Sequence, residues 1–75
     1  MTKQELMDWA IERGWKLDLY GHLKREKGGK IYRLKLSRIA VRYEIKSSAG
    51  WVRLRGGYYS KLNVTPDGKL SGLGL

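Results

Sequence analysis

Seventy-five residues with no cysteine, one histidine and one proline set narrow limits: one domain with a modest core, no disulfides, and no zinc site built from its own side chains. Sixteen Lys and Arg against seven acids give a net charge of +9, a balance that favours polyanions such as nucleic acid, or an acidic protein, as partners. No apolar run approaches the roughly 20 residues that span a bilayer, so no membrane partner is expected.

Met1-Thr2-Lys3-Gln4 leads into a mixed-polarity segment rather than an apolar leader, and the expected location is cytoplasmic. A helix is predicted over about residues 3–13. Thr2 and Glu5 have the spacing of a capping box, in which hydroxyl and carboxylate satisfy the first free backbone N–H groups. Gly14 stands where a left-handed residue closes a helix, just after Arg13. Leu6, Met7, Ala10 and Ile11 make an apolar stripe, with Trp9 at its edge and Glu5, Asp8 and Glu12 opposite.

From Trp15 the apolar period changes to two, the period of strands. Strands are predicted over about 15–26, 30–37, 39–46, 51–55 and 58–64. Tight turns are expected at Gly28-Gly29 and Gly56-Gly57, a four-residue turn at Ser47–Gly50, and another at Pro66-Asp67-Gly68. Residues 71–75 are expected to form a weakly ordered tail. Short connections make sequence neighbours sheet neighbours. The expected fold is a single α+β domain, one N-terminal helix packed on a roughly five-stranded antiparallel meander. A small SH3-like barrel carrying the same helix is the alternative.

Strand alternation then assigns the charge. Turned away from the helix, it places Lys16, Lys24, Arg33, Lys35, Arg42, Lys46, Arg53, Arg55 and Lys61, nine cations facing only Asp18, Glu26 and Glu44. Residues 1–13 carry a net charge of −1, from two basic and three acidic side chains. The molecule is therefore expected to be polarised, with Tyr20, Trp51 and Tyr59 among the cations of the sheet face. Cations that neutralise phosphate beside rings that stack on bases are the chemistry of single-stranded nucleic-acid platforms. The expected function is nucleic-acid binding (RNA or single-stranded DNA), single-stranded or sequence-nonspecific. Arg33, Lys35, Arg42, Arg53, Arg55 and Lys61 are the candidates for phosphate, and Trp51 and Tyr59 for stacking. A protein–protein or homodimer surface is the alternative.

A helix followed by Gly14-Trp15, Gly21-His22, Gly28-Gly29 and a basic strand resembles the first half of the HicA-type mRNA interferase toxins. That resemblance implies a double-stranded-RNA-binding-like fold and a catalytic role for His22. The chain departs from the family in three ways: no serine precedes His22, the spacing from Gly14-Trp15 differs, and strands follow Leu36 in place of a second helix. Ribonuclease action through His22 is therefore the second alternative. The main expectation is a protein that is not an enzyme and uses no cofactor or metal. Paired carboxylates, a phosphate-binding loop and a nucleophile elbow are likewise missing from the residue pattern.

Overall fold

The computed structural model covers residues 1–75. Its elements are helix α1 (Lys3–Glu12) and strands β1 (Lys16–Leu17), β2 (Leu23–Lys27), β3 (Lys30–Leu36), β4 (Ala40–Ser47) and β5 (Gly50–Tyr58). A 3-10 turn (Tyr59–Lys61) and strands β6 (Asn63–Val64) and β7 (Leu70–Ser71) follow. The capping box forms as its spacing predicts: Glu5 N donates to the Thr2 hydroxyl at 3.1 Å, and Thr2 N donates to the Glu5 carboxylate at 2.8 Å. The Thr2 backbone N–H, and after it the Thr2 hydroxyl, favour the ionised carboxylate and hold the Glu5 carboxyl below its usual value. The buried stripe is Leu6, Trp9 and Ala10, whereas Ile11 is half exposed. The Trp9 indole N–H donates to Gly68 O at 2.9 Å, fastening this side of α1 to the turn before β7.

Five strands form one antiparallel sheet in the order β1-β2-β3-β4-β5, open at both edges. This is the expected meander, and the fold is α+β. Its first strand nevertheless differs from the 15–26 prediction. The chain reverses between Leu17 and Leu23, which pair with each other. Asp18 Oδ1 accepts the backbone N–H groups of Tyr20 and His22 at 2.8 and 2.9 Å, and Gly21 supplies φ +80°. A side chain that satisfies the backbone two residues on makes a turn out of an apparently continuous strand. Leu19, within the predicted first strand, is fully exposed at that turn.

The far end of the sheet differs as well. Gly56 and Gly57 are not a turn; both lie within β5, without positive φ. Glycine inside a strand here serves close approach. Gly57 pairs with Val41 and leaves room for Leu62, whose Cδ2 lies 3.6 Å from where a Cβ would stand. The predicted strand 58–64 is thus the end of β5, a 3-10 turn and β6. The predicted tail 71–75 is part of the core: β7 pairs with β6, and Leu70 and Leu73 are each 1% exposed. The inner face of the sheet, with Leu23, Leu34, Leu36 and Val41, is covered by α1 together with Tyr59, Leu62, Leu70 and Leu73. No helix is long and apolar enough to cross a membrane.

Candidate nucleic-acid interface

Strand register decides which side chains share the outer face. One cross-strand row traverses the whole sheet: Lys16 pairs with Lys24, Lys24 with Arg33, Arg33 with Glu44, and Glu44 with Arg53. Beside it, Lys35 pairs with Arg42, and Lys46 with Trp51. Residues directly opposite in an antiparallel pair project to the same side, so seven cations stand together on this face. Leu34 and Val41, the alternating neighbours of Arg33 and Arg42, are buried beneath α1 and the C-terminal segment.

Glu44 is the one buried charged residue of the molecule. Arg33 Nε donates to its Oε1 at 2.8 Å, and Nη2 stands 2.8 Å from the same oxygen as an ion pair. The Arg33 guanidinium also lies 4.2 Å from the centre of the Trp51 ring, with Lys24 Nζ at 5.7 Å. Arg33, expected as a free phosphate ligand, is therefore committed to Glu44 and Trp51, with its side chain 16% exposed. Trp51 lies on the expected face, half-buried, with one side of its ring already stacked on a guanidinium. Lys24 reaches Asp18 at 3.7 Å. Burial opposes ionisation of Asp18, but the backbone N–H groups of His22 and Tyr20 and the Lys24 ammonium outweigh it and hold the carboxyl below its usual value. Lys16, Lys35, Arg42, Lys46 and Arg53 make no ion pair and are exposed.

Three expected site residues stand elsewhere. Between Arg53 and Arg55, β5 advances two residues while β4 advances one, from Glu44 to Tyr43. Leu54 is the extra residue of a β-bulge, which reverses the phase of the strand beyond it. Arg55 consequently faces the inner side with Tyr43 and runs against the C-terminal segment, its Nε 3.7 Å from the Cβ position of Gly74. Tyr59 is 5% exposed and belongs to the core; its hydroxyl donates to Ser37 O at 2.6 Å, and burial raises its phenol pKa. Lys61 is exposed, but on the 3-10 turn rather than on the sheet. The structure thus unites Lys35, Arg42, Arg53, Arg33 and Trp51, and it separates Arg55, Tyr59 and Lys61 from them. Tyr20, expected beside the cations, is exposed at the Asp18–His22 turn. Lys16, Lys24 and Lys46 complete the face; their strand phase signalled them, although they were outside the expected ligand set.

His22 is half-buried, and its Nδ1 accepts the backbone N–H of Leu36 at 3.0 Å. The ring thereby ties the start of β2 to the end of β3. After Leu36 the chain continues into β4 and β5 with no second helix, unlike the interferase pattern. No protein-family model, curated protein or solved structure matches the chain.

Proposed function

We propose that this domain binds nucleic acid through the outer face of its sheet, tracking the phosphate backbone without reading sequence. The observation that carries this reading is the row Lys16–Lys24–Arg33–Arg53, interrupted only by a Glu44 that Arg33 neutralises, with Lys35, Arg42 and Lys46 beside it. Cations held at strand spacing on an uncovered surface give an extended polyanion several contacts in register. Stacking has a smaller part than composition suggests, because Tyr59 is core and Trp51 already carries Arg33 on its ring. Single strands suit the face best, since a flexible backbone can follow the twist of a sheet. The setting proposed is the cytoplasm, as a binding module rather than an enzyme.

Five cations free of ion pairs imply about five phosphates neutralised. Log K should then fall by about 3.5–4.5 units per decade of salt. Fluorescence anisotropy with a labelled oligonucleotide at several salt concentrations tests this. Replacing Lys35, Arg42 and Arg53 by Gln should weaken binding for every sequence alike and lower the slope by about 2–3. A slope near zero, or a triple variant that binds as well as the parent, would refute the reading.

A specific feature favours a second reading, self-association. β5 is an edge strand of nine residues, and Val52, Leu54 and Tyr58 on it are about half exposed. An apolar edge of this length can pair with another strand, although the bulge at Leu54 interrupts it. Sedimentation across a concentration series separates the readings: a tight dimer abolished by Val52→Lys favours the second, a monomer the first.

A further inference from the structure

On the other side of the sheet, at the β2–β3 hairpin, lies a cleft of about 470 Å³ whose walls include Arg25, Lys27, Lys30, Tyr32, Tyr43 and Leu75. Arg25 and Lys27 alternate inward on β2 and pair with Tyr32 and Lys30 on β3. The Arg25 guanidinium carbon stands 4.9 Å from the centre of the Trp15 ring, and its Nε is buried with no acceptor. None of the three cations makes an ion pair. Tyr32 and Tyr43 stack at 5.6 Å with 20° between their planes, and Tyr43 meets the edge of Trp15 at 6.3 Å. Of the tyrosines, only Tyr59 donates its hydroxyl to a protein acceptor, so both phenols of the cleft keep their donors free.

We propose that this cleft binds a phosphomonoester: Arg25 and the two phenols donate to the phosphate oxygens, and Lys27 and Lys30 supply the remaining positive charge. Three cations and two neutral donors, with no acidic side chain lining the cleft, match a dianion with three terminal oxygens better than a single carboxylate. The guanidinium is held in place by Trp15 before any ligand arrives, which reduces the ordering that binding must impose. Burial, then the neighbouring Tyr32, raises the Tyr43 phenol pKa, against the opposing Arg25 charge. The phenol therefore stays protonated, as a donor to phosphate must. This site is separate from the outer face and does not depend on nucleic-acid binding there.

The phosphate could be carried by a free mononucleotide or by the end of a nucleic-acid strand, and titrations followed by amide NMR distinguish them. The ligands are inorganic phosphate, adenosine monophosphate, and one oligonucleotide with either a 5′-phosphate or a 5′-hydroxyl. Adenosine monophosphate should shift residues 25–32, 43 and 74–75 in a saturable way while residues 35, 42 and 53 stay still. Lys27→Gln with Lys30→Gln, both at exposed positions, should weaken that binding at least tenfold. Outer-face substitutions should leave it unchanged. A preference for the 5′-phosphorylated strand over the 5′-hydroxyl one, lost in the Lys27/Lys30 variant, assigns the site to strand ends. Equal binding of the two strands, with the mononucleotide still bound, assigns it to free phosphomonoesters. Shifts spread over cations on both faces, no saturation, or an unaffected double variant would overturn the proposal.

Discussion

Glu44 offers the sharpest perturbation, because it stabilises the fold while opposing the proposed function. Its side chain is 7% exposed, and one carboxylate oxygen accepts the Arg33 Nε–H at 2.8 Å with Nη2 at the same distance. Glu44→Gln keeps an acceptor in place but removes the charge. Charge-assisted bonds are worth roughly twice neutral ones, so losing the charge from this bond and its ion pair should cost about 1–3 kcal/mol. In a domain of this size that is a fall in Tm of about 4–24 °C. Glu44→Ala leaves Arg33 without an acceptor and should cost more, about 2–4 kcal/mol. That lies below the full price of a broken buried pair, because Arg33 is 16% exposed and has a route to water. Oligonucleotide binding should move the other way. The face gains one net positive charge, and affinity should rise several-fold at about 0.1 M salt. If the released Arg33 reaches a phosphate, the salt slope should steepen by about 0.7–0.9. Thermal unfolding and anisotropy on the same Gln variant check both halves. A variant as stable as the parent that binds no more tightly would refute the reasoning.

Three further perturbations address the fold. Gly72 has φ +102°, and a Cβ there would stand 2.5 Å from Leu62 Cδ2, inside the core; Gly72→Ala should cost about 2–4 kcal/mol by denaturant unfolding. Gly28→Ala, at φ +60° with open space around it, should cost only about 1–2 kcal/mol. Tyr59→Phe removes the bond to Ser37 O and should cost about 0.5–1.5 kcal/mol near neutral pH. Burial raises the Tyr59 phenol pKa above its ordinary value, so the stability this provides is complete below about pH 10 and is lost as pH rises through the folded value. The Phe variant should therefore lose less stability on alkaline titration. Asp18 is the opposite case. Its carboxyl is held low in the fold, so its contribution is present above the ordinary carboxylate range and is lost as pH falls through the folded value. Asp18→Asn should flatten the acid limb below about pH 4 and loosen the turn from Asp18 to His22, which hydrogen exchange at Tyr20 and His22 would report.

Where a local rule had one solution, the fold was legible in the residue order. Thr2 and Glu5 marked the start of the helix, Gly28-Gly29 the β2–β3 hairpin, and Leu34, Leu36 and Val41 the inner phase of the central strands. Misreadings arose where one alternation pattern served two geometries. Trp15, Leu17, Leu19 and Leu23 alternate as a single strand would, yet Asp18 and Gly21 reverse the chain among them. Asp18 followed three residues later by Gly21 was the available sign. Gly56-Gly57 has the composition of a turn, but both residues are extended. A glycine pair inside a strand was also the sign of the irregularity at Leu54, which sent Arg55 to the other side. Tyr59 and the tail were misjudged for a different reason. Sparse leucines such as Leu70 and Leu73 carry no period, and only the three-dimensional gap over the sheet shows that they fill it. At the site, the cations of the central strands were legible, because buried neighbours fix their phase. Neutralisation of Arg33 by Glu44 was not, because it depends on a pairing between strands that no single segment encodes.

The most direct measurement is an amide and side-chain NMR titration with a short single-stranded oligonucleotide at low salt. Lys16, Lys35, Arg42, Lys46 and Arg53 should shift together along one binding curve, weakening steeply as salt is added, while residues 3–12 of the helix remain still. Shifts centred on the helix or on the β5 edge, or no saturable change at all, would contradict the account.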